Sequence, residues 1–514
     1  MYPPESEEGN REYKLMVRDV DLERLAGQMK RRLVEGGGEA FYLIGVSDDG
    51  KPLGLSDGDL REALSVVEKA AERIGAVAYL VGLREGLRGK VAEVLIRNRA
   101  GEDNPPPVVH VVAMGNVDAG KSTLIGVLIT GRLDDGRGSA RVYAARFKHE
   151  VLTGRTSAIS TRLMGFKGYK VVNADLPDPL DEASVYLNSD KAILFIDIGG
   201  HEGYLRTSLR GILGNAPDYG MLVIAANSGV QRMTKEHLAV AVAMNLPVFV
   251  VVTRVDITPK AVLERTLEDV ASVLKMPGVS KVPYVAKNDE DAVIAAKIMP
   301  TGRVAPIFLV SNVTGEGLDR LRRFLSLLPK RLHWRGSGPP TLYISEIYKV
   351  RGVGTVVGGL LEGGRLISGQ KVLVGPTDDG GWRPVRIKSI QVNRISVASA
   401  RPGQYITVAI EGFEDVRKGM ALTSEPLKSA VRLGADVIVL RHPTVIRPGF
   451  TGVLHLRSIR SPATITWIDK GALMMGDVGK IELRLSRPWA VPNGERFIFR
   501  NGPTRVLGRV IHIY

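Results

Sequence analysis

The chain has 514 residues, with 70 Lys and Arg against 55 Asp and Glu, a net charge of +15 and no cysteine. Without a thiol, a disulfide framework, a cysteine-ligated zinc and a cysteine nucleophile are all excluded. The length implies three to four domains, and no leader-type apolar segment or membrane-spanning run is evident, so a cytoplasmic location with no membrane partner is expected.

The positive charge is unevenly spread: −4 over residues 1–105, +7 over 106–337, +3 over 338–427 and +9 over 428–514. A basic C-terminal module is the electrostatic footprint of a phosphate-rich partner such as RNA. Residues 22–34 and 60–73 repeat apolar positions at helical spacing, whereas 39–46, 76–83 and 92–96 read as strands. A small N-terminal α+β domain over residues 1–104 is therefore expected. It holds no chemical constellation, and its acidic balance argues against it as the main RNA platform.

Pro105, Pro106 and Pro107 form a stiff linker into residues 108–114, VVHVVAM, which read as a buried strand. Residues 115–122, GNVDAGKS, fit the template GxxxxGK followed by Ser or Thr, and a helix is expected over residues 122–130. Strand, glycine loop and helix in that order aim backbone N–H groups and a helix N-terminus at an anionic phosphate. The expected phosphate-binding set is Gly115, Asn116, Val117, Asp118, Ala119, Gly120, Lys121, Ser122 and Thr123, with Lys121 reaching the β/γ oxygens and Ser122 holding Mg²⁺. Residues 132–150 are rich in Gly, Arg and Asp and are expected to order only with GTP or on a partner surface.

Residues 192–198, AILFIDI, form the next apolar strand, and Asp197-Ile198-Gly199-Gly200 makes a DxxG turn. Asp197 can hold a Mg²⁺-bound water, and the Gly200 N–H can sense a γ-phosphate. His201 follows directly, where many GTPases carry Gln; an imidazole there can orient the attacking water and stabilise developing charge, so it is assigned to catalysis. Residues 247–252 lead into Thr253, Arg254 and Asp256, the place of the NKxD base-reading motif. Asp256 can accept from the N1 and N2 groups that guanine has and adenine lacks. Thr253 stands where Asn usually ties the base loop to the phosphate loop, and Arg254 replaces Lys while keeping an alkyl stem to cover the ring. Residues 306–310 lead to Ser311, Asn312 and Val313, where a backbone N–H can cap the guanine O6. Together these elements point to GTP/GDP with Mg²⁺.

Beyond residue 328 the helical pattern stops. Residues 335–340 serve as a linker, and short strands follow at 343–347, 354–361, 370–374, 383–392 and 405–410, then at 435–440, 452–458, 479–485, 496–500 and 504–514. Local turns between short strands suit two antiparallel β-barrels better than one large sheet.

The segments GNVDAGKST and DIGGHEGY resemble the translational GTPases related to elongation factor Tu. GNVDAGKSTLIGVL, GRTSAIS, MTKEHL, PVFVVVTRVD and SNVTGEGLD resemble more closely the GTP-binding protein 1 group, a branch akin to elongation factor 1-alpha that itself uses Thr at the first position of the base motif. The resemblance runs from about Pro105 to the end of the chain. It implies a P-loop GTPase domain with a mostly parallel sheet over residues 105–337, β-barrel domain II over 338–427 and β-barrel domain III over 428–514. GRTSAIS becomes the core of switch I, where Thr156 or Ser157 completes the Mg²⁺ shell. Val117 becomes one side of an apolar gate holding His201 from the water. The expected mechanism is a GTP-driven switch with slow intrinsic hydrolysis, acting as a monomer and stimulated by the ribosome, with tRNA or other RNA as partner. Two further readings stay open: a GTP-dependent RNA-binding factor in mRNA turnover or ribosome rescue, and a protein-recruiting switch with the N-terminal domain as adaptor.

Overall fold

The computed structural model describes residue 5 and residues 9–99, 105–145, 159–200, 216–331 and 338–514. Its N-terminal unit comprises β1 (Arg11–Lys14), α1 (Leu22–Glu35), β2 (Glu39–Ile44), α2 (Asp57–Arg73), β3 (Ala76–Glu85) and β4 (Lys90–Asn98), with sheet order β1-β2-β4-β3. Strand alternation divides the side chains between two buried faces. Ala40, Tyr42 and Ile44 of β2, with Ala92, Val94 and Ile96 of β4, pack beneath α1 and α2, whose buried stripes include Leu25, Met29 and Leu33, and Ala63, Val67 and Ala70. The opposite face of the sheet lies against the next unit, and Val81 and Leu95 join its core.

That unit contains β5 (Val108–Gly115), α3 (Lys121–Thr130), β6 (Ser160–Lys167), β7 (Lys170–Val171), α4 (Glu182–Leu187), β8 (Lys191–Asp197), β9 (Tyr219–Ala225), α5 (Arg232–Ala243), β10 (Val248–Thr253), α6 (Lys260–Lys275), β11 (Val282–Val285), α7 (Asp289–Ile298), β12 (Val304–Leu309) and α8 (Leu318–Leu327). The sheet order is β11-β12-β10-β9-β5-β8-β6-β7. β6 runs antiparallel to β8, and β7 antiparallel to β6; the other neighbours are parallel. Apart from His110, the run at β5 is apolar because helices cover both faces. Val109, Val111 and Ala113 share a core with Leu124 of α3 and Phe324 of α8, while Val112 and Met114 pack with Leu238 of α5 and Val270 of α6. Parallel strands deliver their C-terminal ends to one edge, where the loops after β5, β8, β10 and β12 meet.

Two closed antiparallel barrels follow. The first runs Lys371–Gly375, Ala421–Thr423, Thr341–Val350, Gly354–Glu362, Tyr405–Glu411 and Arg383–Val392, closing where Arg383–Val392 pairs back onto Lys371–Gly375. The second runs Ser429–Arg441, Val478–Ala490, Ile459–Ile468, Thr451–Leu456, Arg496–Asn501 and Thr504–Ile513. Arg457 clasps the barrels together: its guanidinium meets Glu362 and Glu495 at 2.6 Å each and lies 4.4 Å from the centre of the Tyr343 ring. Polar contacts also join the barrels to the preceding unit. Lys330 donates to the Gly403 carbonyl at 3.1 Å, and Arg496 to that of Ala243 at 2.7 Å. Among the described residues, no helix is long and apolar enough to cross a membrane.

Candidate functional site

A cavity of about 370 Å³ opens where those strand-end loops converge. Lys121, Ser122, Thr123 and Gly200 line one end, and Arg254, Asp256, Asn312 and Val313 the other, with Val117, Asp118, Gly120 and Thr253 between them. Residues singled out in four separate loops are thus brought together at one cavity. Gly115, Asn116, Ala119, Asp197 and Ser311 do not line it directly. His201, Thr156 and Ser157 lie outside the described residues.

The phosphate loop takes its shape from left-handed backbone at Asp118 (φ 59°) and Gly120 (φ 85°). Lys121 is buried and folds back to donate to the carbonyls of Asn116 at 2.8 Å and Gly115 at 3.3 Å. Burial pulls its ammonium below the usual lysine range, opposed by the charges of Asp197 and Asp118. A cation buried at this cost is poised for an anionic ligand. Gly200 approaches so closely that a methyl group there would lie 2.5 Å from Lys121 Nζ and 2.6 Å from the Asn116 carbonyl carbon.

Ser122 Oγ donates to Asp197 Oδ2 at 2.5 Å, joining the two residues expected to serve Mg²⁺. A hydroxyl and a carboxylate are hard oxygen donors, and two protein groups leave room for the phosphate oxygens and waters that Mg²⁺ retains. The residues thus fit the metal. At the base end, the buried Asn312 Oδ1 has no partner among the described residues.

Thr253 resolves the departure from NKxD. Fully buried, it donates from Oγ1 to the Ala119 carbonyl at 2.9 Å, and Arg254 Nη2 donates to the Asp118 carbonyl at 2.8 Å. Both replacements therefore tie the base loop to the phosphate loop. Ser311 is buried behind the cavity, where its hydroxyl accepts from the N–H groups of Val313 at 3.2 Å and Thr314 at 3.0 Å. It shapes the turn instead of facing the cavity.

Two features were not anticipated. The first lies in residues 132–145, the described part of the Gly-, Arg- and Asp-rich stretch, whose residues 146–150 lie outside the described residues. Buried Asp134 accepts from the N–H groups of Gly136, Gly138 and Ala140 at 2.9–3.0 Å and so organises the segment locally. The second feature is His237 of α5, fully buried beneath the phosphate loop, whose Nδ1 accepts from the Gly115 N–H at 3.0 Å. Desolvation, with the nearby Lys121 charge, pulls its pKa down to about 3, so the ring is neutral and an acceptor. His237→Phe fills the space but leaves the Gly115 N–H unsatisfied. We expect a loss of about 1–3 kcal/mol in nucleotide-free unfolding experiments; unchanged stability would remove the structural importance of this bond.

A phosphate loop, a DxxG strand end and a base loop around one cavity, followed by two barrels, define a guanine-nucleotide-binding translation-factor architecture. The sequence profile described as "Elongation factor Tu GTP binding domain" matches residues 106–331. The chain is 39% identical to GTP-binding protein 1 of Xenopus laevis, over 95% of this chain and 75% of that protein. It is 38% identical to GTP-binding protein 2 of Homo sapiens, over 99% of this chain and 88% of that protein. Elongation factor 1-alpha of Pyrococcus horikoshii is 26% identical, over 79% and 98% respectively. Among solved structures, elongation factor SelB from Methanococcus maripaludis with the GTP analogue GppNHp covers 80% of each chain at 18% identity, TM-score 0.57, a likeness of fold. The chain belongs to the GTP-binding protein 1 and 2 family of elongation-factor-Tu-like translational GTPases. It is a GTP-hydrolysing enzyme that uses GTP/GDP and Mg²⁺.

Proposed function

We propose that this chain is a GTP-driven switch acting in the cytoplasm on the ribosome with tRNA or another RNA, and that its barrels move between nucleotide states. The observation that carries the reading is the convergence of Lys121, Ser122, Gly200, Asp256 and Asn312 on one cavity, in a chain whose second barrel segment carries a charge of +9. Lys121 and the loop N–H groups bind phosphate, Ser122 and Asp197 hold Mg²⁺ with Thr156 or Ser157, and Asp256 reads guanine. Domains over residues 1–104, 105–337, 338–427 and 428–514 divide the work into an adaptor, an engine and two RNA-facing barrels.

His201 positions the attacking water once a ribosome moves it past Val117. His201→Ala should bind GTP normally while losing about 10²–10⁴-fold of stimulated hydrolysis, the usual worth of general acid–base or water-positioning groups. Stimulated turnover that survives this substitution would remove His201 from catalysis. Partner choice is tested by GTP turnover with and without ribosomes, together with filter binding of charged and uncharged tRNA in both nucleotide states. GTP-dependent preference for charged tRNA supports delivery; ribosome stimulation without that preference supports surveillance or rescue. No stimulation and no RNA binding leaves a protein-recruiting switch.

A further inference from the structure

The segment of residues 134–145, which follows α3, runs from the base end of the nucleotide cavity to its metal end. At its beginning, the Asp134 N–H donates to the Asn312 carbonyl at 2.8 Å, fixing it to the base end. At its end, Ser160 Oγ of β6 donates to the Ala144 carbonyl at 2.8 Å, and Arg162 of β6 donates to those of Tyr143 and Ala145 at 2.7 and 2.6 Å. Ser160 is the register partner of Asp197, so this anchor stands at the metal end. Midway between the anchors, Arg137 and Arg141 line the cavity.

Their surroundings are built to hold them there. Arg141 Nε and Nη2 donate to the carbonyls of Gly138 at 2.8 Å and Arg137 at 2.9 Å, fixing the guanidinium across its own loop. Gly138 has φ 82°, and a methyl group there would lie 2.6 Å from Arg141 Nη2, so glycine leaves space for the guanidinium. A methyl at Gly126 would lie 2.0 Å from the Ala140 carbonyl oxygen, a measure of how closely α3 seats the segment. The Asp134 carboxylate beside them is occupied by backbone N–H groups. Among the described residues neither arginine forms an ion pair, and the Arg137 side chain makes no hydrogen bond.

We propose that residues 133–145 are a nucleotide clamp in which Arg137 and Arg141 bind the ribose and α-phosphate, a contact common to GDP and GTP. The inference rests on the assignment of this cavity to a guanine nucleotide and extends it to two cations outside the motif loops. Two cations facing an anion site without a carboxylate partner supply charge-assisted hydrogen bonds. The clamp acts on nucleotide residence, separately from γ-phosphate sensing by Gly200.

The test is dissociation of fluorescent mant-GDP and mant-GTP from the full chain, followed by stopped flow. Arg137→Ala is the clean variant, because the side chain supports no described part of the fold. It should release both nucleotides roughly tenfold faster, as expected for losing one hydrogen bond to a charged group. Arg141→Ala should do so at least as strongly, with Arg141→Lys recovering part of the effect. The acceleration by added salt should be shallower in the alanine variants than in the wild type, a response that a loosened loop does not produce. Tight wild-type binding with unchanged rates in Arg137→Ala overturns the clamp alone. A wild-type protein that binds no guanine nucleotide overturns the cavity assignment and the clamp with it.

Discussion

Lys121→Ala is expected to lose nucleotide binding by roughly 10²–10³-fold or more, while the nucleotide-free fold melts no lower than the wild type. The affinity estimate follows from deleting one partner of a desolvated charge pair, which costs about 2–5 kcal/mol or more. The second expectation follows from burial: Lys121 is only 6% exposed, and desolvation is the largest influence on its ammonium. Truncation relieves that cost and removes two hydrogen bonds, to Gly115 and Asn116, whose carbonyls stay beside the cavity. Thermal melts with and without GDP separate the two effects. Ligand at about 100 times Kd should stabilise the wild type by about 2.7 kcal/mol and the variant far less. Retention of the full ligand-induced shift would show that phosphate is held by backbone N–H groups and that Lys121 is dispensable.

Much of this site was legible because its groups lie in short loops following strongly apolar strands. The strand-like run over residues 108–114 is followed at once by GNVDAGKS, and the same logic located Asp197, Thr253 and Asn312. What stayed hidden depends on tertiary placement. His237 sits with Thr234, Leu238 and Ala241 on the buried stripe of α5, a spacing that reads as ordinary core, and only the passage of Gly115 overhead makes it an acceptor. Arg137 and Arg141 belong to a polar, glycine-rich stretch whose turns are organised by Asp134, a role that composition does not reveal. The strand Ile459–Ile468 was not anticipated, since Pro462 argues against a paired interior strand; Pro462 pairs with Val453, and the register with Val478–Ala490 begins only at Ala463. β6 was likewise missed because its pairing partner, β8, is remote in sequence. The charged residues Glu39, Glu93 and Arg97 alternate with apolar ones on β2 and β4, the usual pattern of a solvated face. Here that face is buried against the nucleotide-binding unit.

Substitution of Glu39 should have the largest effect on stability. Its carboxylate is 2% exposed and accepts from Arg97 Nε at 2.8 Å and from Lys191 Nζ at 3.0 and 3.1 Å. Arg97 continues to Asp190 at 3.2 Å and to the Gly168 carbonyl at 3.0 Å, and Lys191 to the Leu328 carbonyl at 2.6 Å. Glu39→Ala leaves two cations buried with one remaining carboxylate, which should cost about 3–5 kcal/mol. A pH signature separates this from simple loss of packing. Burial already pulls Lys191 down to about 8 despite Glu39, whose charge acts in the opposite direction. Without Glu39 the folded-state value falls further, while the unfolded value stays near the ordinary lysine value of about 10.4. The unfolded state then binds more protons, so stability rises with pH. In the wild type this rise begins near pH 8; in Glu39→Ala it should begin lower and partly offset the loss. The cavity lies at the other end of β8, roughly 20 Å away over seven residues, so GDP affinity should stay within about threefold. Denaturant unfolding at pH 7, 8 and 9, read beside GDP binding, checks both expectations. A loss independent of pH would mean that Glu39 contributes packing alone, whereas collapse of GDP affinity with intact folding would show that the N-terminal unit is coupled through β8 to Asp197.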